Sequence, residues 1–236
     1  MIILDIGRRG QGKTTLALYL ARKSARRFVF DPRGLVEQTP GDRLKTSSPT
    51  LIAQGVDRVV EGQIPELVIT PILEPQTAFN ALINELYEWL KRDPKASFAL
   101  VIDELRFLPD LETPQFEWLL RCSQPDRVHV ILTCHRPADI PVNVRAIADQ
   151  WLIFRVTQEH DLKVIAERSQ RAAAAARHLN KREFVAWDDA SGEFKVFRRP
   201  DQWFVPLGVT VATLDDPETT LGFAADPKDK QGNLLQ

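Results

Sequence analysis

The stretch Gly7-Arg-Arg-Gly-Gln-Gly-Lys-Thr14 decides the fold of this 236-residue chain, because it fits the pattern G-x-x-x-x-G-K-[S/T] at every defined position. The apolar run Ile2–Ile6 precedes it and predicts a buried strand, while residues 14–26 carry leucines at helical spacing. A strand, a glycine-rich turn and a helix in this order form a cradle whose backbone N–H groups face one anion. The sequence therefore predicts a phosphate-binding loop between the first strand and the first helix.

The defined positions of this loop predict how a nucleoside triphosphate is bound. The glycines let the backbone curl so that its N–H groups point inward. Lys13 is expected to place a positive charge on the β- and γ-phosphates, and the hydroxyl of Thr14 to coordinate Mg²⁺. We therefore predict ATP and Mg²⁺ as the bound groups, held by Gly7, Gly10, Gln11, Gly12, Lys13, Thr14 and Thr15.

Two adjacent carboxylates end a second apolar run and predict the hydrolytic half of the site. Phe98–Ile102 is continuously apolar, as in a strand buried on both faces, and Asp103 and Glu104 follow directly. Charged side chains are costly in a core, so an acidic pair at this position usually faces a functional site. Asp103 is predicted to hold Mg²⁺, and Glu104 to polarise the attacking water as the general base.

A third apolar run supplies a candidate sensor of the γ-phosphate. Residues 128–133 are predicted to form a strand beside the one that ends at Asp103, which would bring Thr133 or His135 close to the γ-phosphate. His135 could contact that phosphate or orient water, and the alternative is a loop histidine without a role. The other three histidines show no partner pattern, and we assign them no function.

Alternating strand and helix patterns predict an α/β fold with a mostly parallel central sheet. We place a nucleotide-binding core in residues 1–182, a β-hairpin in 183–205 and an extended or partly disordered tail in 206–236. Within the core, residues 37–66 are rich in Pro, Gly, Ser and Thr and predict loop with one short helix. Residues 159–178 predict a single helix.

The composition excludes several classes of protein. The chain has 31 Lys and Arg residues and 32 Asp and Glu residues, which gives a net charge of -1. The net charge therefore does not indicate a nucleic-acid partner. The two cysteines, Cys122 and Cys134, have no metal-ligand spacing and imply no disulfide framework. No apolar stretch approaches the roughly 20 residues that a membrane-spanning helix needs. We therefore expect a cytoplasmic protein without a transmembrane segment.

Several of these segments, taken in order, resemble the FtsK–HerA superfamily of ATP-driven DNA pumps. Within it the chain is most similar to the genome-packaging ATPases of membrane-containing icosahedral viruses. The resemblance covers about residues 1–170 and departs from the family at His135, where glutamine is usual. It rests on residues 7–14 and on Phe30-Asp-Pro-Arg-Gly, Ile102-Asp-Glu, Ile131-Leu-Thr-Cys-His-Arg-Pro, Ile140-Pro-Val-Asn-Val-Arg-Ala-Ile-Ala-Asp and Trp151-Leu-Ile-Phe-Arg-Val.

The resemblance implies a RecA-like core and a homo-oligomeric ring, expected to be a hexamer, with ATP at the subunit interfaces. An arginine from the neighbouring subunit would then reach the γ-phosphate, where charge develops in the transition state. Arg121 is favoured for this role because it lies on a predicted helix, while Arg127 and Arg145 remain open. The implied partners are double-stranded DNA and capsid vertex proteins, and the implied location is the host cytoplasm or a packaging vertex of the virion.

Three basic or polar segments are candidates for the DNA contact. They are the loop 41–48, the segment 106–115 after the acidic pair, and a basic face. Phosphate contacts from Lys or Arg would give the sequence-independent grip that a translocating motor needs. A solvated helix face is the alternative for the basic face, which consists of Lys163, Arg168, Arg171 and Arg177.

Three other functions remain open at this point. A filamentous-phage-type assembly ATPase has a similar core, but such proteins usually carry a membrane-spanning helix. A P-loop kinase or phosphotransferase would normally have an arginine-bearing lid and no acidic pair at the end of a core strand. A non-enzymatic nucleotide switch is disfavoured because Glu104 is present to activate water.

Overall fold

The computed structural model describes residues 1–36, 41–108, 110–121 and 127–198. None of the helices in these ranges is both long and apolar enough to cross a membrane. The strands are β1 (Ile2–Ile6), β2 (Arg27–Phe30), β3 (Asp42–Lys45), β4 (Glu66–Thr70), β5 (Phe98–Ile102), β6 (Val128–Cys134), β7 (Gln150–Phe154), β8 (Glu183–Asp188) and β9 (Phe194–Arg198). The α-helices are α1 (Lys13–Ala21), α2 (Pro49–Val60), α3 (Pro75–Arg92), α4 (Pro114–Arg121), α5 (Val142–Ala146), α6 (Glu159–Ala166) and α7 (Gln170–His178).

All nine of these strands form one sheet in the order β3-β4-β2-β5-β6-β1-β7-β8-β9. The strands from β3 to β7 in this order are parallel to their neighbours, and β8 and β9 are antiparallel. The predicted α/β fold class is therefore confirmed. Because parallel strands end at the same edge of a sheet, the turns that follow β1, β5 and β6 lie side by side.

Apolar clusters on both faces of the sheet form the core. Alternate residues of each strand point to opposite faces, so Ile2 and Leu4 of β1 belong to one cluster and Ile3 to the other. On the first face, Phe79 of α3 packs edge-to-face against Phe30 at 5.5 Å and Phe116 at 5.3 Å between ring centroids. Helix α1 covers the second face and is thereby fixed above β1, β5 and β6.

The predicted C-terminal hairpin is present and continues the central sheet. Strand β8 pairs antiparallel with β7, with Trp151 opposite Trp187, and β9 pairs with β8. Residues 199–205 of the predicted hairpin segment and the predicted tail 206–236 lie outside the described residues.

Two segments differ from the sequence-based expectation. Residues 37–66 contain a strand, β3, and a twelve-residue helix, α2, where we expected loop and one short helix. The sequence of β3, Asp-Arg-Leu-Lys, is polar because β3 is an edge strand that pairs with β4 alone. The predicted helix 159–178 is broken into α6 and α7, because Ser169 caps α7 by accepting a hydrogen bond from the backbone N–H of Ala172.

Candidate nucleotide-binding and hydrolysis site

The loop between β1 and α1 has the backbone conformation that a phosphate cradle requires. Gly10 and Gly12 have φ of 78° and 105°, in the left-handed region that favours glycine. A Cβ atom on Gly7 would lie 2.5 Å from Cβ of Phe154, so the close approach of β7 also requires glycine there. Helix α1 begins at Lys13, directly after Gly12, and directs its N-terminal N–H groups toward the loop.

The side chains of Lys13 and Gln11 make hydrogen bonds to the backbone around this loop. Lys13 is almost fully buried, and its Nζ lies 3.3 Å from the carbonyl oxygen of Arg8. The side chain of Gln11, a residue predicted to bind the nucleotide, makes two hydrogen bonds that hold the loop in place. Its Oε1 accepts a hydrogen bond from the backbone N–H of Arg8 at 2.7 Å, and its Nε2 donates to the carbonyl of Arg155 at 3.2 Å.

Thr14 and Asp103, the two residues predicted to bind magnesium, are in direct contact. The Thr14 hydroxyl donates to Asp103 Oδ1 at 2.8 Å, and the Thr133 hydroxyl donates to the same oxygen at 2.7 Å. Burial raises the pKa of Asp103 above its ordinary value, and these two hydrogen bonds oppose that increase. Two oxygen donors that converge beside a phosphate cradle fit Mg²⁺, which usually takes few protein ligands together with phosphate oxygens and water.

The described residues contain no group of three or more His, Cys, Asp or Glu side chains that could hold a metal ion by themselves.

Glu104 is held in an unusual backbone conformation beside this pair. Its φ of 56° is one of two positive values at non-glycine residues in the described chain, and its side chain is 8% exposed. The backbone N–H of Glu104 donates to Thr133 Oγ1 at 3.0 Å, so the Thr133 hydroxyl connects Asp103 and Glu104. A left-handed conformation at such a residue costs on the order of 1–3 kcal/mol and persists where the surroundings enforce it.

His135 contacts the carboxylate of Glu104. Its Nε2 lies 2.6 Å from Glu104 Oε1, so the neutral imidazole donates its Nε2–H to the carboxylate. Burial lowers the pKa of His135 below its ordinary value, and the positive charge of Lys13 lowers it further. His135 is thus placed to orient Glu104, a contact that the sequence did not predict.

Two arginines that the sequence analysis did not assign to the site also approach Glu104. Arg33 lies 3.7 Å from Glu104 Oε1, and Arg106 lies 3.7 Å from Oε2. Both guanidinium groups also stand over the ring of Phe107, at 5.6 Å and 4.9 Å from its centroid. The only sequence signal was the position of Arg33 in the turn after β2 and of Arg106 two residues after Glu104.

Asp5 is a buried acid that the sequence analysis missed. It lies on β1 opposite Thr133 of β6, and neither carboxylate oxygen has a hydrogen-bond partner among the described residues. Burial raises the pKa of Asp5 from 3.8 to about 8, although the charge of Lys13 lowers it in part. The signal that could have revealed it is an acid inside an apolar strand, two residues before Gly7.

Asp5 predicts a loss of stability as the pH rises. Above pH 3.8 the unfolded chain releases the Asp5 proton, whereas the folded protein keeps it until about pH 8, so the folded state loses stability throughout that window. Asp5→Asn lacks this titration. We expect the free energy of unfolding of Asp5→Asn, relative to that of the wild type, to increase by up to about 1.4 kcal/mol for each pH unit in this window.

Urea unfolding at pH 5, 6, 7 and 8 measures this gain. Asp57→Asn, at an exposed position of α2, is the matched control and should change the pH profile little. Parallel pH profiles for the wild type and Asp5→Asn would show that Asp5 is ionised in the folded protein.

The structure does not bring the three candidate trans-acting arginines to the site of the same chain. Arg121 is exposed at the end of α4, and no described contact joins it to the site. Arg127 donates to the carbonyl of Pro94 at 2.7 Å and directly precedes β6, at the sheet edge opposite the phosphate loop. Arg145 lies on α5, and its Nε is buried without a hydrogen-bond partner among the described residues.

Most of the predicted basic face is already engaged within the chain. Arg177 pairs with Glu159 at 2.9 Å, Arg168 lies 4.0 Å from Asp189, and Arg171 stands over the Phe194 ring. Because α6 and α7 are separate helices, these side chains do not form one continuous stripe. The face is therefore a weaker candidate for DNA contact than its sequence implied.

A phosphate loop between β1 and α1 of a mostly parallel sheet defines the P-loop NTPase fold. The genome-packaging NTPase B204 of Sulfolobus turreted icosahedral virus 2, in complex with ATPγS, has a similar structure, with a TM-score of 0.66 and 20% identity over 84% of this chain and 96% of that one. VirB4 of Thermoanaerobacter pseudethanolicus is also similar, with a TM-score of 0.56 and 12% identity over 84% of this chain and 88% of VirB4. The pCW3 conjugation coupling protein TcpA with ATPγS has a TM-score of 0.55 and 17% identity over 84% of this chain and 59% of TcpA.

These likenesses confirm the predicted resemblance at the level of the fold. No protein-family model matches the chain, and no curated protein sequence matches it significantly. The roles of individual residues therefore rest on the geometry of this chain alone.

Proposed function

We propose that this protein hydrolyses ATP and couples the hydrolysis to movement along double-stranded DNA, with packaging of a viral genome into a procapsid as its role. One observation carries the hydrolytic part of the proposal. Glu104 is fixed beside the Thr14–Asp103 pair, and the Thr133 hydroxyl bonds to both acidic residues. A buried carboxylate next to a metal-type pair and a phosphate cradle is the arrangement that activates water.

Each residue of the site has a separate task in this proposal. The loop N–H groups and Lys13 bind the phosphates, and Thr14 and Asp103 hold the cation. Mg²⁺ would neutralise charge on the β- and γ-phosphate oxygens. Glu104 accepts the proton of the attacking water while His135, through its Nε2–H, keeps the carboxylate oriented.

The proposed coupling to DNA is supported by the neighbours of similar fold. B204 is described as a genome-packaging NTPase and as a DNA-packaging ATPase, and TcpA as a conjugation coupling protein. The likeness extends over 96% of B204 and over 59% of TcpA.

We further propose that the active form is a ring in which a neighbour completes each site. The charge that develops on the γ-phosphate needs a cation, and Arg121 is exposed and without a contact to the site of its own chain. A ring of six subunits, docked at a capsid vertex, is the form that we expect.

The test is the rate of ATP hydrolysis at low salt, with and without blunt double-stranded DNA. We expect the DNA to raise the turnover of the wild type severalfold and to leave Glu104→Gln inactive. The stimulation should fall steeply as salt is added, because phosphate contacts release counterions. Displacement of a third strand from a triplex then measures movement directly.

Two controls separate translocation from nonspecific effects. Heparin is a polyanion that contains no DNA duplex. In place of the DNA it tests for an effect of negative charge alone, and it should not support displacement of the third strand. Hydrolysis that is indifferent to DNA, with no strand displacement, would refute the motor and leave an ATPase or phosphotransferase with another partner.

A further inference from the structure

A cavity lined by arginines lies beside the phosphate loop. It has a volume of about 260 Å³ and is bounded by the turns that follow β1, β5, β6 and β7. We call it the arginine cavity and define it by Arg8, Arg9, Arg106, Arg136 and Asp161. None of Lys13, Thr14, Asp103 and Glu104 lines it, so it lies beside the triphosphate cradle and shares with it only Arg8 and Arg9 of the phosphate loop.

The charges around this cavity are unbalanced. Asp161 is its one acidic residue, and it is engaged by Arg136, whose Nε lies 3.3 Å from both carboxylate oxygens. His135 also lines the cavity and adds no positive charge at neutral pH, because burial lowers its pKa. Arg106 lies 3.7 Å from the carboxylate of Glu104, so two of the four arginines are near a carboxylate, and no described ion pair involves Arg8 or Arg9. Guanidinium groups keep their protons in a protein, so these two remain positively charged.

The size and the donors of the cavity fit a phosphate group. Its volume corresponds to roughly eight or nine waters at about 30 Å³ each, which leaves room for a phosphate and part of its hydration shell. The fork of a guanidinium matches two oxygens of one phosphate, and several such forks would bind it strongly. Thr157, which accepts a hydrogen bond from Arg8, adds a hydroxyl at the rim.

Arg106 connects this cavity to the general base. Its Nε lies 3.7 Å from Glu104 Oε2, an oxygen that is buried without a hydrogen-bond partner among the described residues. Arg106 is also about half exposed, so its guanidinium is free to turn toward a ligand. When it turns away, the Glu104 carboxylate loses one of the contacts that hold it in place.

We propose that the arginine cavity is a second phosphate-binding site and that Arg106 transmits its occupancy to Glu104 as a positioning residue. The effect on turnover rests on the ATPase activity proposed above, whereas the binding does not. Two ligands share the required chemistry, namely inorganic phosphate and a phosphodiester of the DNA backbone. Occupancy by either raises the rate of hydrolysis.

The binding is tested by calorimetric titration of inorganic phosphate into the full chain saturated with AMPPCP and Mg²⁺, which fill the triphosphate cradle. The wild type should bind one phosphate. Arg9→Ala and Arg106→Gln should each weaken this binding at least tenfold, which is about 1.4 kcal/mol. Arg92→Ala is the matched control, because Arg92 is exposed at the end of α3, which precedes the amino end of β5 at the opposite sheet edge.

A second arm identifies the source of the phosphate. A short DNA duplex that displaces inorganic phosphate would identify the ligand as the DNA backbone, and failure to displace it would identify free phosphate. Far-UV circular dichroism and AMPPCP affinity confirm that each variant is folded. No phosphate binding to the AMPPCP complex, or equal binding by all variants, would overturn the proposal.

The coupling is tested by turnover. Added phosphate or DNA, whichever binds in the cavity, should raise kcat of the wild type. The kcat of Arg106→Gln should not change when the ligand is added, and its KM for ATP should stay within about twofold of the wild type. A wild type that binds phosphate but hydrolyses no ATP would refute the proposed function and leave the second site standing.

Discussion

Glu104→Gln is expected to lower the turnover of ATP by about 10²- to 10⁴-fold while ATP still binds. Glutamine keeps the size of the side chain and still accepts the hydrogen bond from His135 Nε2 through its amide oxygen. It cannot accept a proton from water, so the loss falls on kcat. Steady-state hydrolysis gives kcat, and fluorescence of a labelled ATP analogue gives the affinity.

The matched control is Glu61→Gln, at an exposed position after α2. This variant carries the same change of charge and should keep full activity. If Glu104→Gln also keeps full activity, another group is the general base. The DNA-stimulated rate should vanish together with the basal rate, because both need the same proton transfer.

Lys13→Ala is expected to weaken the binding of ATP by about 100-fold, or ~2.7 kcal/mol. Lys13 is almost fully buried beneath the loop, and its Nζ contacts only the carbonyl of Arg8 among the hydrogen bonds described. Its charge is therefore available to the phosphates in a site from which water is largely excluded. Titration calorimetry with ATPγS and Mg²⁺ measures the loss.

Lys91→Ala serves as the control for this change, because Lys91 is exposed on α3 and contacts Glu88 and Tyr87. Its affinity for ATPγS should equal that of the wild type. Thermal unfolding of Lys13→Ala should stay close to the wild type in the absence of nucleotide. An affinity within twofold of the wild type would show that the cradle binds phosphate through its N–H groups alone.

The fold and the centre of the site were largely predictable because their signals are local. Residues 7–14 and their two flanking elements specify the loop through the conformational needs of glycine. The continuously apolar run of β5 specifies a strand buried on both faces, and this placed Asp103 at its carboxyl end. Strand β3 was missed because an edge strand needs no apolar pattern.

The contacts around Glu104 were not predictable from the sequence. His135 lies 31 residues further along the chain, and Arg33 lies 71 residues before Glu104. They meet because β2, β5 and β6 end at the same sheet edge. The sequence analysis placed β6 beside β5 but did not place β2 on the other side of β5. Asp5 likewise became notable only when its neighbours left both of its oxygens without partners.

The sequence by itself determined the class of fold, the phosphate loop and the acidic pair, since each depends on residues that are adjacent along the chain. Only the tertiary structure decided which charges surround Glu104, that burial raises the pKa of Asp5 to about 8, and that four arginines line one cavity. The physical reason is that pKa values and cavities depend on burial and on distances between residues far apart in sequence, which strand order and helix packing set.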